Sequence, residues 1–341
     1  MQCTIIVPVH NNASLTRRCL DTILGQDEGI EYVLVVVDDA STDETPRLLA
    51  SYGERIRVVR HSRNTGFSGA CNDGASAAPT CEHLVFLNND TIPQAGWLRT
   101  LVADAAAHPS AAIVGSKLLF PGDLVQHAGV VVCQDRIPRH LYQGFPADHP
   151  AVNKSRRFQI VTGACMLIRR VVFEQANGFD PAFVNSYEDV DLCLRLGEEG
   201  YEVRLCHESV LYHMEALSRG GRGHDVAASL ALYRSRWGKR VRPDEFDYYV
   251  EDELLMIGYS DHYPIHLTVS PQLATVYEQP ANLVGRILAA RGQQVYELLR
   301  ENIHLLERAR NAEDRLAERG RVRGEASNAP KPALVGRDSE S

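Results

Sequence analysis

No apolar run in the 341-residue chain approaches the roughly eighteen residues that a membrane-spanning helix needs. Its first residues also lack a basic segment followed by an apolar core, so no signal peptide is expected. Eight cysteines are present, yet none forms a Cys-x-x-Cys pair. Scattered in this way, and several of them in expected strands, they read as reduced, mostly buried thiols of a cytosolic protein. An excess of positive charge is missing too: 36 Lys and Arg face 44 Asp and Glu, a net charge of −8. That balance argues against nucleic acid as a main partner. The expected location is the cytoplasm, either free or peripheral at the inner face of a membrane. A composition of 44% hydrophobic and 23% charged residues suits one large domain with an appendage.

What the chain does contain is a series of buried strands that end in polar side chains. Residues 3–9, Cys-Thr-Ile-Ile-Val-Pro-Val, form a continuous apolar run, as in a strand covered on both faces. A helix follows, with Leu15, Cys19, Leu20, Ile23 and Leu24 on one side. The next run, Tyr32 to Val37, empties into Asp38-Asp39-Ala-Ser-Thr-Asp43, where Ser41 and Thr42 are expected to cap the helix carrying Leu48 and Leu49. A third strand, 56–60, leads to Arg63-Asn64-Thr-Gly66 and a helix starting near Ser68, whose glycines and free N–H groups suit an anionic ligand or a plain turn. The fourth, His83 to Leu87, ends in Asn88-Asn89-Asp90, and a helix begins near Ala95. Strand and helix alternating with short links predict a parallel sheet, with ligands at the carboxyl ends of its strands. Asp38 and Asp39 there are harder to explain as caps than Asp43. A hard-oxygen ligand such as Asp90 can hold Mg²⁺ or Mn²⁺ together with phosphates.

Farther on, Tyr187-Glu188-Asp189-Val-Asp191 opens a helix whose Val190, Leu192, Cys193 and Leu196 mark a buried face and whose natural stop is Gly200. Its first turn lies beside free N–H groups and the positive end of the helix dipole. That setting favours ionised carboxylates, either as caps or as a general base.

Taken in order, Ile-Val-Pro-Val-His-Asn11, Val-Asp38-Asp39-Ala-Ser-Thr-Asp, Asn64-Thr-Gly66 with Asn72-Asp-Gly74, Leu-Asn88-Asn89-Asp90 and Tyr-Glu188-Asp189-Val-Asp-Leu resemble the inverting, nucleotide-sugar-dependent glycosyltransferases of family 2. The resemblance covers about residues 3–240 and is nearest the soluble rhamnosyltransferase-like members. It implies an α/β GT-A fold, a Rossmann-like, mostly parallel sheet flanked by helices, to which the apolar spacing after Leu283 adds a helical extension at the C-terminus. It also implies roles. Pro8 and Val9 shape the strand edge beneath the base, Asp39 bonds the base with Asp38 supporting it, and Arg63, Asn64 and Gly66 line the nucleotide pocket. Asn88-Asn89-Asp90 stands where the Asp-x-Asp metal motif lies, with Asn88 in place of its first acid, so Mn²⁺ or Mg²⁺ rests mainly on Asp90. Asp189 is implied as the catalytic base, and Glu188 as an aid to acceptor binding.

The acceptor half is expected around Phe158 to Phe179. Gly163 and Ala164 are small enough for a sugar to pass, and Phe179 or Tyr187 is either core or a stacking surface. His213 is either structural or a metal or diphosphate ligand. Arg219, among glycines, suggests a mobile basic loop that closes over the nucleotide. Tyr233-Arg-Ser-Arg236-Trp237 stands nearest the Gln-x-x-Arg-Trp signature of processive synthases but has Tyr for Gln. Non-processive transfer is therefore expected, and Trp237 reads as core.

The implied reaction moves a sugar from a UDP-, dTDP- or GDP-linked donor to a glycan or lipid-linked saccharide, for cell-surface glycan or polysaccharide assembly. Two alternatives stand beside it. A sugar-nucleotidyltransferase would need a glycine-rich, basic loop after the first strand, and Val9-His-Asn-Asn-Ala-Ser14 has neither glycine nor lysine. A catalytically silent sugar-nucleotide-binding subunit would not need Asp90 and Asp189. The expected organisation is a catalytic domain over 1–240, a linker or lid over 241–282, an amphipathic helix over 283–318 and a disordered tail over 319–341. That helix either packs on the domain or joins a second copy or a partner protein.

Overall fold

The computed structural model describes residues 2–214, 223–259 and 265–275. In its N-terminal half, β1 (Cys3–Val9), β2 (Tyr32–Asp38), β3 (Arg57–Arg60) and β4 (His83–Leu87) run parallel, linked by α1 (Ala13–Gly25), α2 (Thr45–Ala50) and α3 (Gly66–Ala77). β1 is apolar except for buried Thr4 because both its faces are covered. Cys3, Ile5, Val7 and Val9 join one core with Cys19, Leu20 and Ile23 of α1. Ile6 faces α3, which approaches so closely that a Cβ on Gly74 would lie 2.5 Å from the Ile6 side chain.

The C-terminal half adds β5 (Thr91–Pro93), α4 (Trp97–Ala107), β6 (Ala111–Phe120), β7 (Leu124–His127), β8 (Val130–Val132), β9 (Pro138–His140), β10 (Arg156–Phe158), β11 (Cys165–Arg169), α5 (Arg170–Gln175), α6 (Glu188–Glu198) and β12 (Glu202–His213). The main path of the large sheet is β10-β12-β6-β11-β4-β1-β2-β3. β11 is the inserted antiparallel strand, and its direction matters. Its first residue, Cys165, pairs with Leu87 at the end of β4, so the loop before it lies along the carboxyl edge of the parallel strands. Asn88 N–H donates to the Ala164 carbonyl there at 3.0 Å. The last turn of β12 pairs His213 with Thr91 of β5, and Met214 N–H reaches the Asp90 carbonyl at 2.9 Å.

Several local expectations are corrected. Ser41 and Thr42 do not cap α2, which begins after Glu44 with no side-chain cap. Instead the Ser41 hydroxyl accepts from Asn11 N–H at 2.8 Å, and the Asn11 side chain accepts from Thr42 N–H at 2.8 Å, tying two strand-end turns together. α3 begins at Gly66 and α4 at Trp97. All eight cysteines are buried and free.

α7 (Gly223–Arg236) and α8 (Glu245–Glu251) follow, then a hairpin of β13 (Leu255–Tyr259) and β14 (Ile265–Val269). The stretch expected to be a linker or lid is partly held in place. Val132 N–H donates to Asp244 at 2.8 Å, and Asp252 takes Arg156 and Lys154, each at 2.6 Å. Two compact units divide the chain, Met1–Val269 and Ser270–Ser341, and residues 270–275 with α9 (Pro271–Thr275) are the described part of the second. The helix expected over 283–318 and the tail over 319–341 lie outside the described residues. Among the described residues no helix is long and apolar enough to cross a membrane.

Candidate active site

At the carboxyl edge of the sheet lies a cavity of about 610 Å³. Pro8, Val9, Asp39, Asn64, Gly66, Asn88, Asn89 and Asp90 reach it from the parallel half; Gly163, Ala164, Glu188, Asp189 and His213 reach it from the other. Arg63 is exposed and does not line it, and Asp38 is buried behind it. Arg219 lies outside the described residues.

Asp38 and Asp39 share the end of β2 but do different work. Asp38 accepts from Ser41 N–H at 2.9 Å and pairs with Arg60. Asp39 anchors the turn before α3, accepting from Thr65 N–H at 2.8 Å and Oγ1 at 2.9 Å and from Gly66 N–H at 3.0 Å. Both aspartates thus brace turns more directly than their sequence positions suggested. Gly66 has φ +75°, and a Cβ there would meet the Val184 carbonyl oxygen at 2.6 Å, so no side chain fits.

On the facing wall, Asp90 Oδ1 lies 3.0 Å from His213 Nε2. The other ring nitrogen of His213 bonds the Gln126 side-chain oxygen at 2.7 Å, which orients the imidazole. Asn88 places its amide nitrogen 3.3 Å from His213 Nε2, and Asn89 donates to Thr16 of α1 at 2.8 Å.

α6 starts after Tyr187, whose backbone is left-handed at φ 67°. Asp189 accepts from Gly163 N–H at 2.7 Å and from Val190 N–H at 2.8 Å. A Cβ on Gly163 would sit 3.2 Å from that of Asp189, so the glycine permits this approach. The helix start alone predicts a carboxylate held in its ionised form. Burial outweighs the N–H groups and nearby His140, and Asp189 titrates above the ordinary carboxylate value. Asp191, the third acid, is fully buried with Arg195 and Arg236 at 2.7 and 2.6 Å and the Trp237 indole N–H at 2.9 Å. Trp237, 2% exposed, is core, as is Phe179 among Phe67, Phe86 and Phe173. Tyr187 lines the cavity.

Sequence reasoning missed the wall built by the 124–140 segment. Gln126, Arg139 and His140 line the cavity, with His140 Nδ1 2.9 Å from Nδ1 of buried His127. Burial, with repulsion from His140 and His213, pushes His127 well below the ordinary histidine value, so it stays neutral. These strands are only three or four residues long, too short for a periodicity signal.

A parallel α/β half with strand-end Asp and Asn side chains, met by an antiparallel strand that carries a loop to a helix-borne carboxylate, is the GT-A architecture of glycosyltransferases. The chain belongs to glycosyl transferase family 2, whose sequence profile matches residues 4–176. It is similar to the O-antigen biosynthesis protein RfbC of Myxococcus xanthus, 34% identical over 251 residues, 70% of this chain and 20% of that protein. It is also similar to the N-acetylglucosaminyl-diphospho-decaprenol L-rhamnosyltransferase of Mycobacterium tuberculosis, 26% identical over 59% of this chain and 71% of that protein. The chain therefore spans about a fifth of the first of these. Among solved structures, GalNAc-T7 with UDP, GalNAc and Mn²⁺ aligns with a TM-score of 0.57 at 13% identity, covering 74% of this chain and 54% of that one. At that identity the likeness is one of fold.

Proposed function

We propose that the chain transfers a sugar from a nucleoside-diphosphate donor to a hydroxyl of a glycan or lipid-linked saccharide, with inversion and without processivity. The observation carrying this reading is that Asp189 and the Asp90–His213 pair, from separate elements, open into one cavity beside Pro8, Val9 and Asn64.

Asp189 receives the proton of the attacking hydroxyl. Its carboxylate is held toward the cavity by Gly163 N–H, and burial makes it the stronger base. Glu188 and Tyr187 flank the acceptor position. Pro8, Val9 and Asn64 wall the base of a UDP-, dTDP- or GDP-linked donor. One displacement by the acceptor on the face opposite the leaving group inverts the anomeric carbon, through an oxocarbenium-like transition state.

Among the described residues no group of three or more His, Cys, Asp or Glu is arranged around an ion. The convergent Asp90 carboxylate and His213 imidazole nonetheless fit Mn²⁺ or Mg²⁺ as a partial donor set, with diphosphate oxygens and water as the remaining ligands. When bound, such an ion neutralises charge on the departing diphosphate.

Calorimetry of UDP, dTDP and GDP with and without Mn²⁺ tests the reading. At least one should bind, more tightly with metal, and Asp90→Ala should remove the metal-dependent part. Equal affinity with and without metal for wild type would remove the cation from the scheme; no binding of any of them would remove the donor.

A further inference from the structure

We propose that His61 is a positioning residue for the donor nucleotide, acting through Asp39 on the turn that walls the base. This deepens the donor reading above and rests on it. His61 follows β3, only 11% of its side chain is exposed, and it does not itself line the cavity. Its Nδ1 lies 2.8 Å from Asp39 Oδ1, and its Nε2 lies 3.1 Å from Asp73 Oδ2 of α3, an ion-pair contact outside good hydrogen-bond angles. The imidazole therefore bridges a cavity-lining carboxylate and a surface one.

Asp39 Oδ1 meets His61 and both Thr65 donors, while Oδ2 meets Thr65 and Gly66 N–H. A carboxylate offers about four lone-pair sites, so the lone pairs of this one are directed at the turn. The base consequently meets a rigid Asn64–Gly66 wall rather than a free acid. The wall is packed closely there, since a Cβ on Gly66 would meet the Val184 carbonyl oxygen at 2.6 Å. His61 is the one side chain from outside the turn among these Asp39 partners. Without it, Oδ1 keeps only the two Thr65 donors and the wall loosens, while Asp90 and Asp189 keep their own supports.

Asn and Gln at this position separate the roles of the two ring nitrogens. In His61→Asn the amide nitrogen falls near the place of Nδ1 and keeps the bond to Asp39. In His61→Gln it reaches the place of Nε2, keeping only the Asp73 side. Affinity for UDP, dTDP and GDP with Mn²⁺, and KM and kcat for whichever nucleotide sugar is turned over, are measured on both variants and wild type. H61Q should weaken nucleotide binding about tenfold and raise donor KM in proportion, as expected for a lost hydrogen bond to a charged group. kcat at saturating donor should hold, and H61N should stay close to wild type. Wild-type affinity in H61Q, or equal losses in both variants accompanied by a fall in kcat, would overturn the positioning role. Failure of the wild type to bind any of the three nucleotides would instead overturn the donor reading itself.

Discussion

At Asp189 two influences oppose each other: burial disfavours charge, while the Gly163 and Val190 N–H groups and His140 favour it. Burial prevails, so the carboxyl titrates above the ordinary value of 3.8. A general base works only when deprotonated, so transfer should fall as pH drops through that raised value. The acid limb of kcat/KM should lie above the ordinary aspartate value. Asp189→Asn should lower transfer by about two to four powers of ten. Nucleotide binding should persist in that variant, because the amide oxygen still accepts from Gly163 N–H. Retention of the wild-type rate with bound acceptor would remove Asp189 from the chemistry. Asp189 was legible from sequence as a first-turn acid, but its raised titration was not. That depends on the burial the fold supplies, which outweighs the N–H of Gly163, a residue 26 positions away.

One turn of α6 separates acids that line the cavity from one that anchors the helix. Glu188 and Asp189 face the cavity, whereas Asp191 turns inward to Arg195, Arg236 and Trp237. Arg236 also reaches Asp180 at 2.8 Å, so a single network ties α6 to α7 and to the segment before it. Asp191→Ala should cost about 3 kcal/mol, the low end for breaking a buried pair, since both arginines remain partly exposed. Urea or thermal unfolding reads this directly, and a change within experimental error would show that the network contributes nothing net. Asp191 and Arg195 stand four residues apart on one helix and so meet locally. The distant Arg236 meets them only because the fold carries α7 to that side of the helix.

Over the whole molecule, the described groups that line the cavity precede residue 214, yet the domain that holds them runs farther. Asp252 is buried against Arg156 and Lys154, and Asp244 closes the Val132 strand end. A boundary near residue 240, where the family resemblance ends, would strip these partners away. A chain ending after Val269 should therefore retain nucleotide binding and a wild-type-like melting temperature. One ending at Gly238 should melt lower, because Arg156 and Val132 N–H lose their acceptors. Thermal unfolding and nucleotide calorimetry on both truncations check this. Equal stability of the two would show that 239–269 is an appendage.

The sequence by itself determined the parallel half and its polar edge. Buried strands such as Cys3–Val9 carry their environment in unbroken apolar runs, and polar residues at their ends must face the ligand side of a parallel sheet. It also marked which acids stand there. Tertiary structure alone decided their partners. The antiparallel entry of β11 brings Gly163 to Asp189, the pairing of β12 with β5 brings His213 to Asp90, and β3 carries His61 to Asp39. The physical reason is one of range. Burial is written locally in the period of apolar residues, whereas these contacts join side chains far apart in the chain, whose meeting depends on how every intervening element packs.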